Sequence, residues 1–339
     1  MSITLAIDCM GGDVGVAVTV PAALDFLKKA SDAHLILVGL KDKITPFLEN
    51  IEADLKNRIE LLHASEIVDM DEPPAHVLRH KKDSSMRRAI DCVKDGKADA
   101  VVSAGNTGAL MAISYLVLKM LPGIERPAIC TTLPTQNGHV LMLDLGANVD
   151  CDPQHLFQFA LMGSSLVATM EQKDSPKVGL LNIGEEAMKG NLVVKTATDL
   201  LRDSSLHFIG NVEGDGIFKS YVDVIVCDGF VGNVALKSAE GVAQMISDAL
   251  KREFGRNILT KAVALLAIPI LKRIKARFDH RQYNGAVLLG LKGVCVKSHG
   301  SADVFSFVQA LNYAHKMVHN RVLERIQQQM SAFEEQEHL

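Results

Sequence analysis

A three-part unit that occurs six times along this chain of 339 residues constrains its fold most strongly. Each unit has a short apolar run, then a loop rich in Gly, Asp and Asn, then a stretch with helical spacing of apolar residues. The apolar runs are ITLAID, ADAVVSA, HVLMLDL, KVGLLNI, DVIVC and GVCVKS. Such runs, alternating with helices, are typical of a parallel sheet covered on both faces. The units therefore predict an α/β fold with a mostly parallel sheet.

The loop of every unit falls at the carboxyl end of its predicted strand. The loops read CMGGD, GNTG, GANVDCD, GEEAMKG, DGFVGN and HGSAD. Ligands of open α/β sheets bind outside these strand ends, where glycine lets the backbone approach and a following helix offers N–H groups to an anion. We expect the six loops to form one site, with a phosphate group as its ligand. The alternative is that most of them are ordinary connections that bind nothing.

Composition and missing motifs argue against several classes of protein. The net charge of -4 gives no general attraction to nucleic acid, so we expect no such partner. Six scattered cysteines without a CxxC pair disfavour a zinc site or a disulfide framework and suit the cytoplasm. No basic segment precedes the first apolar run, and no run is long enough to span a bilayer. A GxGxxG after the first strand, a GxxxxGK[ST] and a GxSxG are all absent.

Four residues in the loops are candidates for catalysis. Lys189 precedes a predicted helix, where it can hold a phosphate or an oxyanion, or can simply be a solvated lysine. Asp228 and Asn233 line a site or cap a helix. His299 donates a proton, holds an anion or is structural. The same loops carry the candidate phosphate-binding residues Gly11, Gly12, Asp13, Asn106, Thr107, Asn148, Asn191, Gly300 and Ser301.

Two further chemistries are weaker interpretations of the same loops. The carboxylates of Asp144 and Asp150 could bind Mg²⁺ or cap turns, and we favour turns. Cys9 and Cys227 lie at strand ends, where a covalent thioester is conceivable, but free cysteines are usually small buried hydrophobes. We therefore expect neither a metal ion nor a cofactor.

Residues 257–278, NILTKAVALLAIPILKRIKARF, are unusually apolar for a soluble surface. Pro269 should kink or break the helix, giving a hairpin of two helices. The segment is too short to span a bilayer, but it can lie in a membrane interface or be buried in a dimer. The expected contacts with a carrier protein or a membrane are Leu265, Leu266, Ile268, Lys272, Arg273, Lys275 and Arg277.

We expect residues 1–325 to form a single α/β catalytic domain that includes this segment. The chain ends in RIQQQMSAFEEQEHL, which is polar. Residues 326–339 are therefore predicted to be a frayed tail after the last helix.

Seven fragments together resemble the bacterial phosphate acyltransferase (PlsX) family. They are IDCMGGDVG, RHKKDSSM, VVSAGNTGALM, LDLGANVD, LLNIGEEAMKGN, VCDGFVGNVALK and VKSHGSAD, and the match runs in order from residue 3 to 315. Cys9 and Val16 depart from the alanine and proline common in the family, and neither change removes a polar group. The resemblance implies a three-layer α/β/α sandwich related to phosphotransacetylases and isocitrate-type dehydrogenases. It also implies a homodimer that is cytoplasmic and peripherally associated with the inner membrane face.

The resemblance also implies a reaction, in which inorganic phosphate attacks the thioester of a fatty acyl–acyl carrier protein. The acyl phosphate would feed phospholipid (phosphatidic acid) synthesis, and the partners would include the carrier protein and the downstream glycerol-3-phosphate acyltransferase. For this reaction we assign Lys189 and Asn233 to phosphate or oxyanion binding. His299 would protonate the departing thiolate or contact phosphate, and Asp228 would orient Lys189 or His299. Gly11, Gly12 and Asp13 would shape the adjoining loop.

Three rival functions remain open on the sequence. One is a phosphotransacetylase of the same fold that uses acyl-CoA, and the second is a decarboxylating dehydrogenase. The third is a non-catalytic scaffold that gathers lipid enzymes at a membrane. The thioester carrier and phosphate-dependent loss of the thioester discriminate among them.

Overall fold

The computed structural model describes residues 2–337, without the side chains of 274–278, 280 and 334–337. Its strands are β1 (Ile3–Asp8), β2 (Ala33–Gly39), β3 (Ile59–His63), β4 (Ala100–Ser103), β5 (Ala128–Thr135), β6 (Gly138–Leu143), β7 (Val178–Leu181), β8 (Phe208–Val212), β9 (Val224–Val226), β10 (Ala286–Leu289) and β11 (Val294–Lys297). Its helices are α1 (Val16–Leu27), α2 (Lys41–Ile44), α3 (Ala53–Asn57), α4 (Pro74–His80), α5 (Ser85–Lys94), α6 (Thr107–Leu118), α7 (Pro153–Glu171), α8 (Leu192–Arg202), α9 (Gly229–Gly255), α10 (Ile258–Phe278), α11 (Val304–His319) and α12 (Val322–Glu337). Short 3₁₀ helices cover Thr45–Leu48, Gly214–Phe218 and His280–Tyr283.

The strands form one sheet of two parallel blocks that run in opposite directions. Its order is β3-β2-β1-β4-β11-β10-β5-β6-β9-β7-β8. The first five strands are mutually parallel, as are the last four. Between the blocks, β10 and β5 pair antiparallel with each other and with their outer neighbours. The mostly parallel α/β fold is confirmed. The six loops fall into two groups of three, because the two blocks point their carboxyl ends in opposite directions.

The two sets of strand ends nevertheless lie at nearly the same height in the sheet. Lys297, at the end of β11, pairs with Ala286 of β10. The next residue, Val287, pairs with Cys130, which in turn pairs with Leu143 at the end of β6. The ends of β11 and β6 are thus offset by one residue, roughly 3 Å, and separated sideways by three strand spacings, roughly 14 Å.

Helices cover both faces of the sheet and give it three layers. Alternate strand residues such as Leu5 and Ile7 pack with α1, α7, α11 and α12 on one face. The residue between them, Ala6, belongs to a second core with α5 and α6. Because successive side chains in a strand point to opposite faces, the near-continuous apolar runs contribute side chains to both cores. The predicted α/β/α sandwich is confirmed.

The end of the chain is a packed helix where a frayed tail was expected. Helix α12 contacts α7 and α11, and its Val322, Ile326 and Met330 are buried in the core. These residues are four positions apart and therefore lie on one face of the helix. The prediction of a frayed tail from residue 326 is wrong for the part up to Met330.

Helices α9 and α10 contact each other as a hairpin, but its turn is not at Pro269. The break falls at Arg256 and Asn257. There Asn257 accepts from the Thr260 N–H at 2.9 Å, and the Thr260 hydroxyl accepts from the Asn257 N–H at 3.0 Å. This reciprocal cap starts α10, which continues through Pro269. Among the described residues, no helix is long and apolar enough to cross a membrane.

The predicted contact residues of α10 lie at its surface. Leu265 is 68% exposed, Leu266 83% and Ile268 38%. Lys272 and Arg273 are also exposed. Lys275 and Arg277 lie outside the residues whose side chains the structure describes. The exposed apolar surface that the sequence predicted for this segment is therefore present on α10.

Candidate active site

Three polar side chains stand in a row at the carboxyl ends of the first block. The sheet register pairs Asp8 of β1 with Ser103 of β4, and Ser103 with Lys297 of β11. All three side chains are buried. The Ser103 hydroxyl donates to the Asp8 carboxylate at 2.7 Å. Burial raises the pKa of Asp8, and hydrogen bonds from Ser85 and Ser103 oppose that shift. The row forms the floor below the loops that follow β1, β4 and β11.

The glycines of the first loop are required by contact between backbones. A Cβ on Gly11 would lie 2.6 Å from the Gly105 nitrogen, so a side chain there would displace the loop after β4. Gly12 has a φ of +91°, and a Cβ on it would lie 3.0 Å from the Gly300 carbonyl oxygen. The Asp13 N–H donates to that same carbonyl at 2.9 Å. The loops after β1, β4 and β11 therefore meet at one place.

Asn106 uses its whole amide group within the protein. Its oxygen accepts from the Ala109 N–H at 2.9 Å, which caps α6. Its nitrogen donates to the carbonyls of Met70 and Glu72 at 2.9 and 3.0 Å. Asn106 thus holds a loop over this group of strand ends and has little left to offer a ligand. Thr107, the first residue of α6, is exposed.

His299 lies at the surface just after β11, beside Gly300. Its Nδ1 is 2.9 Å from the Ser301 hydroxyl, and its backbone N–H donates to the Asn284 side chain at 3.0 Å. The Ser301 contact holds the imidazole, and the Asn284 contact holds the His299 backbone, at the edge of the three loops. A held histidine in this position can exchange a proton with a bound ligand.

In the second block, Asp144 organises the turn that follows β6. Its buried carboxylate accepts from the N–H groups of Ile129, Ala147 and Asn148 and from the Asn148 amide. The Asn148 amide also donates to the Pro127 carbonyl at 2.7 Å. Burial raises the pKa of Asp144, and these hydrogen bonds oppose the shift. The turn interpretation of Asp144 is what the structure shows, and Asn148 is part of the same turn.

Two of the sequence candidates are helix caps. Asp228 accepts from the Val231 N–H at 2.8 Å at the start of α9. Asn191 accepts from the Val194 N–H at 2.9 Å at the start of α8. The capping alternative is therefore the one observed for Asp228, and Asn191, a phosphate-binding candidate, is also a helix cap.

Asn233 projects from the first turns of α9 next to the Asp144 turn. A Cβ on the preceding residue, Gly232, would lie 1.9 Å from the Asp144 carbonyl oxygen, so α9 packs directly on this turn. Gly146 borders the Asn233 side chain, whose Cβ is 3.7 Å from where a Gly146 Cβ would be. The Asn233 side chain is exposed and available to a ligand.

Lys189 projects from the loop after β7, the strand beside β9. Gly184 leaves room for its side chain, because a Cβ there would lie 2.9 Å from the Lys189 Cγ. The Lys189 side chain is exposed. It and Asn233 thus follow neighbouring strands of the second block, and both can present donors to an anion.

Helix α9 connects the two groups of loops. It begins beside the Asp144 turn, and Lys237 lies one helical turn after Asn233 on the same face. The positive charge of Lys237 acts on Lys297 at the end of β11. The four catalytic candidates are thus divided, with His299 in the first block and Lys189, Asp228 and Asn233 in the second.

Lys297 is a functional candidate that the sequence reasoning missed. It is only 8% exposed, and its Nζ donates to the carbonyls of Ala104 and Ser298. Burial lowers the pKa of Lys297 to about 8, although the charges of Asp13 and Asp8 oppose that shift. The available signal was a lysine that closes the otherwise apolar strand GVCVKS.

The cysteines at strand ends are buried thiols. Burial raises the pKa of Cys9 and of Cys227 well above the ordinary value, which disfavours the nucleophilic thiolate. Cys227 directs its sulfur towards the carbonyls of Leu143 and Asp144. The packing interpretation therefore accounts for both residues.

Among the described residues, Glu125, Asp152 and His155 form the cluster whose geometry could hold a metal ion, with ligand atoms within 4.8 Å of one another. They lie at the start of α7, where the His155 Nδ1 accepts from the Asp152 N–H at 3.2 Å. The other ring nitrogen faces Glu125 at 3.1 Å. The three side chains thus already have hydrogen-bond partners within the protein, and Asp152 and His155 form the cap of α7.

Comparisons with known proteins identify relatives along nearly the whole chain. Residues 3–325 match the model of a family described as "Fatty acid synthesis protein". Proteins named phosphate acyltransferase from Paraburkholderia phymatum and Paraburkholderia phytofirmans are each 59% identical over 330 residues, covering 97% of this chain and 88% and 90% of theirs.

Solved structures share the fold at lower sequence identity. EutD phosphotransacetylase from Staphylococcus aureus matches with a TM-score of 0.61 and 18% identity, covering 95% of this chain and 94% of that one. A phosphotransacetylase from Streptococcus pyogenes matches with a TM-score of 0.61 and 17% identity over the same shares of the two chains. These two likenesses establish the fold.

Proposed function

This chain belongs to the fatty acid synthesis protein family, and we propose that the loops at its two groups of strand ends join a fatty acyl group to inorganic phosphate. The chain is a phosphate acyltransferase that makes acyl phosphate for phospholipid synthesis. The single observation that carries this function is the high identity to phosphate acyltransferases over nearly the whole chain. The acyl donor is the thioester of fatty acyl–acyl carrier protein.

The reaction needs two binding functions close together. A phosphate oxygen attacks the thioester carbon, the carbon–sulfur bond breaks, and the carrier protein leaves as a thiolate that takes up a proton. The tetrahedral intermediate carries an oxyanion, which fixed hydrogen-bond donors stabilise. Holding both substrates in attack geometry supplies much of the remaining rate. The chemistry requires no covalent intermediate on the protein and no cofactor.

We assign phosphate to the loops after β1, β4 and β11. Gly11 and Gly12 allow backbone to approach the anion there, and the charge of the buried Lys297 lies below them. His299, held by Ser301, protonates the departing thiolate. Asp13, Thr107 and Gly300 complete the rim of this site.

Lys189 and Asn233 are assigned to the oxyanion of the intermediate. Both side chains are exposed, and both follow adjacent strands of the second block. Asn233 also lies on the face of α9 that leads to Lys237, whose charge acts on Lys297. This common helix brings the oxyanion donor toward the phosphate loops.

The hairpin of α9 and α10 is assigned to association with a membrane and with a second copy of the chain. Apolar side chains just after its turn are strongly exposed, including Ile258 at 87% and Leu266 at 83%. Exposed apolar surface flanked by Lys272 and Arg273 suits the interface of an anionic bilayer. The protein would be cytoplasmic and peripheral to the inner membrane face, where it hands its product to glycerol-3-phosphate acyltransferase. The base of the hairpin would form the homodimer.

The thioester carrier tests the proposed substrate. Palmitoyl–acyl carrier protein and palmitoyl-CoA are compared as donors, and acyl phosphate is trapped as the hydroxamate with hydroxylamine. Faster turnover of the carrier-protein thioester is expected. Acyl carrier proteins are acidic, and the enzyme presents basic side chains near its apolar hairpin. Preference for palmitoyl-CoA would instead make the enzyme a phosphotransacetylase, and hydroxamate from neither donor would support the scaffold alternative.

A further inference from the structure

Lys297 is a buried cation at the place where three loops meet. Its Nζ donates to the Ala104 carbonyl at 3.2 Å and to the carbonyl of Ser298. The Ala104 carbonyl oxygen also borders the two glycines of the site, at 3.7 Å from a Cβ on Gly12 and 3.8 Å from one on Gly300. The ammonium group is therefore directly behind the surface assigned to phosphate.

The protein leaves this ammonium group incompletely satisfied. A protonated lysine has three N–H donors, and the two carbonyls account for two of them. Among the residues that the structure describes, no carboxylate forms an ion pair with Lys297, although the charges of Asp8 and Asp13 act on it. A buried cation without a paired anion is costly, so its retention at a ligand site indicates that the ligand supplies the anion.

We propose that the third N–H of Lys297 binds a phosphate oxygen during the acyl transfer, which makes Lys297 a phosphate-binding residue. This inference rests on the proposed function and names one more side chain of the same site. The neighbouring row of Asp8 and Ser103 holds the strand ends in register below it. Phosphate would thus be bound by one buried cation and the loop backbones around it.

The groups facing Lys297 define its dependence on pH. They are Asp8 at the end of β1, Asp13 in the first loop, Cys295 on β11 and Lys237 on α9. Because burial lowers the pKa of Lys297 to about 8, the free site loses its positive charge as pH rises through that value. Phosphate affinity should then fall, and phosphate binding above that pH should draw a proton onto Nζ.

The first test replaces Lys297 by methionine and by arginine. Lys297→Met should raise the KM for phosphate by about tenfold or more, because a hydrogen bond to a charged group is lost, while the KM for the acyl donor changes little. Lys297→Arg should recover part of the phosphate affinity. Lys292→Met is the matched control, since Lys292 is exposed on the turn before β11 and should bind phosphate like the wild type.

The second test uses the wild-type protein and does not depend on the folding of any variant. Inorganic phosphate is titrated calorimetrically at pH 8.5 in two buffers with different ionisation enthalpies. Free phosphate is already dianionic there, so a buffer-dependent heat reports proton uptake by the protein. Proton uptake by the wild-type protein on phosphate binding is the expected result.

Two results would overturn the inference. One is phosphate binding without proton uptake at pH 8.5. The other is a folded Lys297→Met with an unchanged KM for phosphate, which would show that Lys297 does not bind phosphate. Failure of the proposed function is distinct, because it would appear as wild-type protein that binds phosphate but releases no thiol from the acyl donor.

Discussion

The side-chain amide of Asn106 donates to the backbone carbonyl of Met70 at 2.9 Å, and this bond holds a loop over the first group of strand ends. The Met70 methyl group reaches Gly300, where it would lie 2.7 Å from an added Cβ. The Asn106 side-chain oxygen thus caps α6, and its nitrogen holds the Met70 loop, which forms a cover over the assigned phosphate site. The cover depends on a donor that aspartate lacks.

Asn106→Asp should release this loop while keeping the helix cap, because Asp and Asn cap helices about equally well. Residues 65–73 should exchange their amide hydrogens about tenfold faster, as measured by mass spectrometry, since the hydrogen bonds from the amide nitrogen are lost. Asn191→Asp is the control, because Asn191 caps α8 in the same way. Unchanged exchange in residues 65–73 would show that the amide does not hold the loop.

Two glycines of α9 should respond in opposite ways to alanine. Gly232→Ala places a Cβ 1.9 Å from the Asp144 carbonyl oxygen, so α9 must move and stability should fall by about 3 kcal/mol or more. A Cβ on Gly241 meets nothing within 4 Å, so Gly241→Ala should raise stability by up to about 1 kcal/mol. Urea unfolding measures both changes. Similar effects for the two variants would contradict the close packing of α9 on β6.

Lys189→Met and Asn233→Ala should each lower kcat by about 100-fold, as expected when a donor to an oxyanion is removed. The KM for phosphate should change little, since phosphate is assigned to the other loops. Lys195→Met is the control, because Lys195 is an exposed lysine on α8 that is assigned no role in the reaction. A large rise in the phosphate KM with unchanged kcat would instead place these residues at the phosphate.

The α9–α10 hairpin should carry membrane binding. Leu266→Ser and the pair Lys272→Glu with Arg273→Glu should each reduce cosedimentation with vesicles that contain anionic lipid, because they remove apolar contact and basic charge respectively. Leu266→Ser should leave turnover of palmitoyl–acyl carrier protein intact, because it removes no basic side chain. If neither change affects vesicle binding, the hairpin is not the membrane contact.

The fold class followed from the repeated units, but the direction of the strands did not. An apolar run such as HVLMLDL predicts a buried strand without saying which way it runs. The strand direction reverses at β5 and β10, which pair antiparallel with their neighbours. Strand β5 includes Pro134, which lacks a backbone N–H donor and so weakens the prediction of a strand there. Opposite strand directions then place Asn148 and His299 in different groups of loops.

Other differences had signals in the sequence that were given too little weight. Asn257 and Thr260 have the spacing of a reciprocal helix cap, which locates the hairpin turn better than Pro269 does. Ile326 and Met330 are four residues apart in a polar segment, which is enough to pack one helix face. The contacts of Lys297 depend on the register of three strands and could not be derived from local sequence.

The central claim is acyl transfer to phosphate, and thiol release from palmitoyl–acyl carrier protein tests it most directly. Purified protein is mixed with this thioester with and without inorganic phosphate, and the free thiol is followed over time. The account predicts release that depends on phosphate and saturates with its concentration. Thiol release that is independent of phosphate, or no release at all, would contradict it.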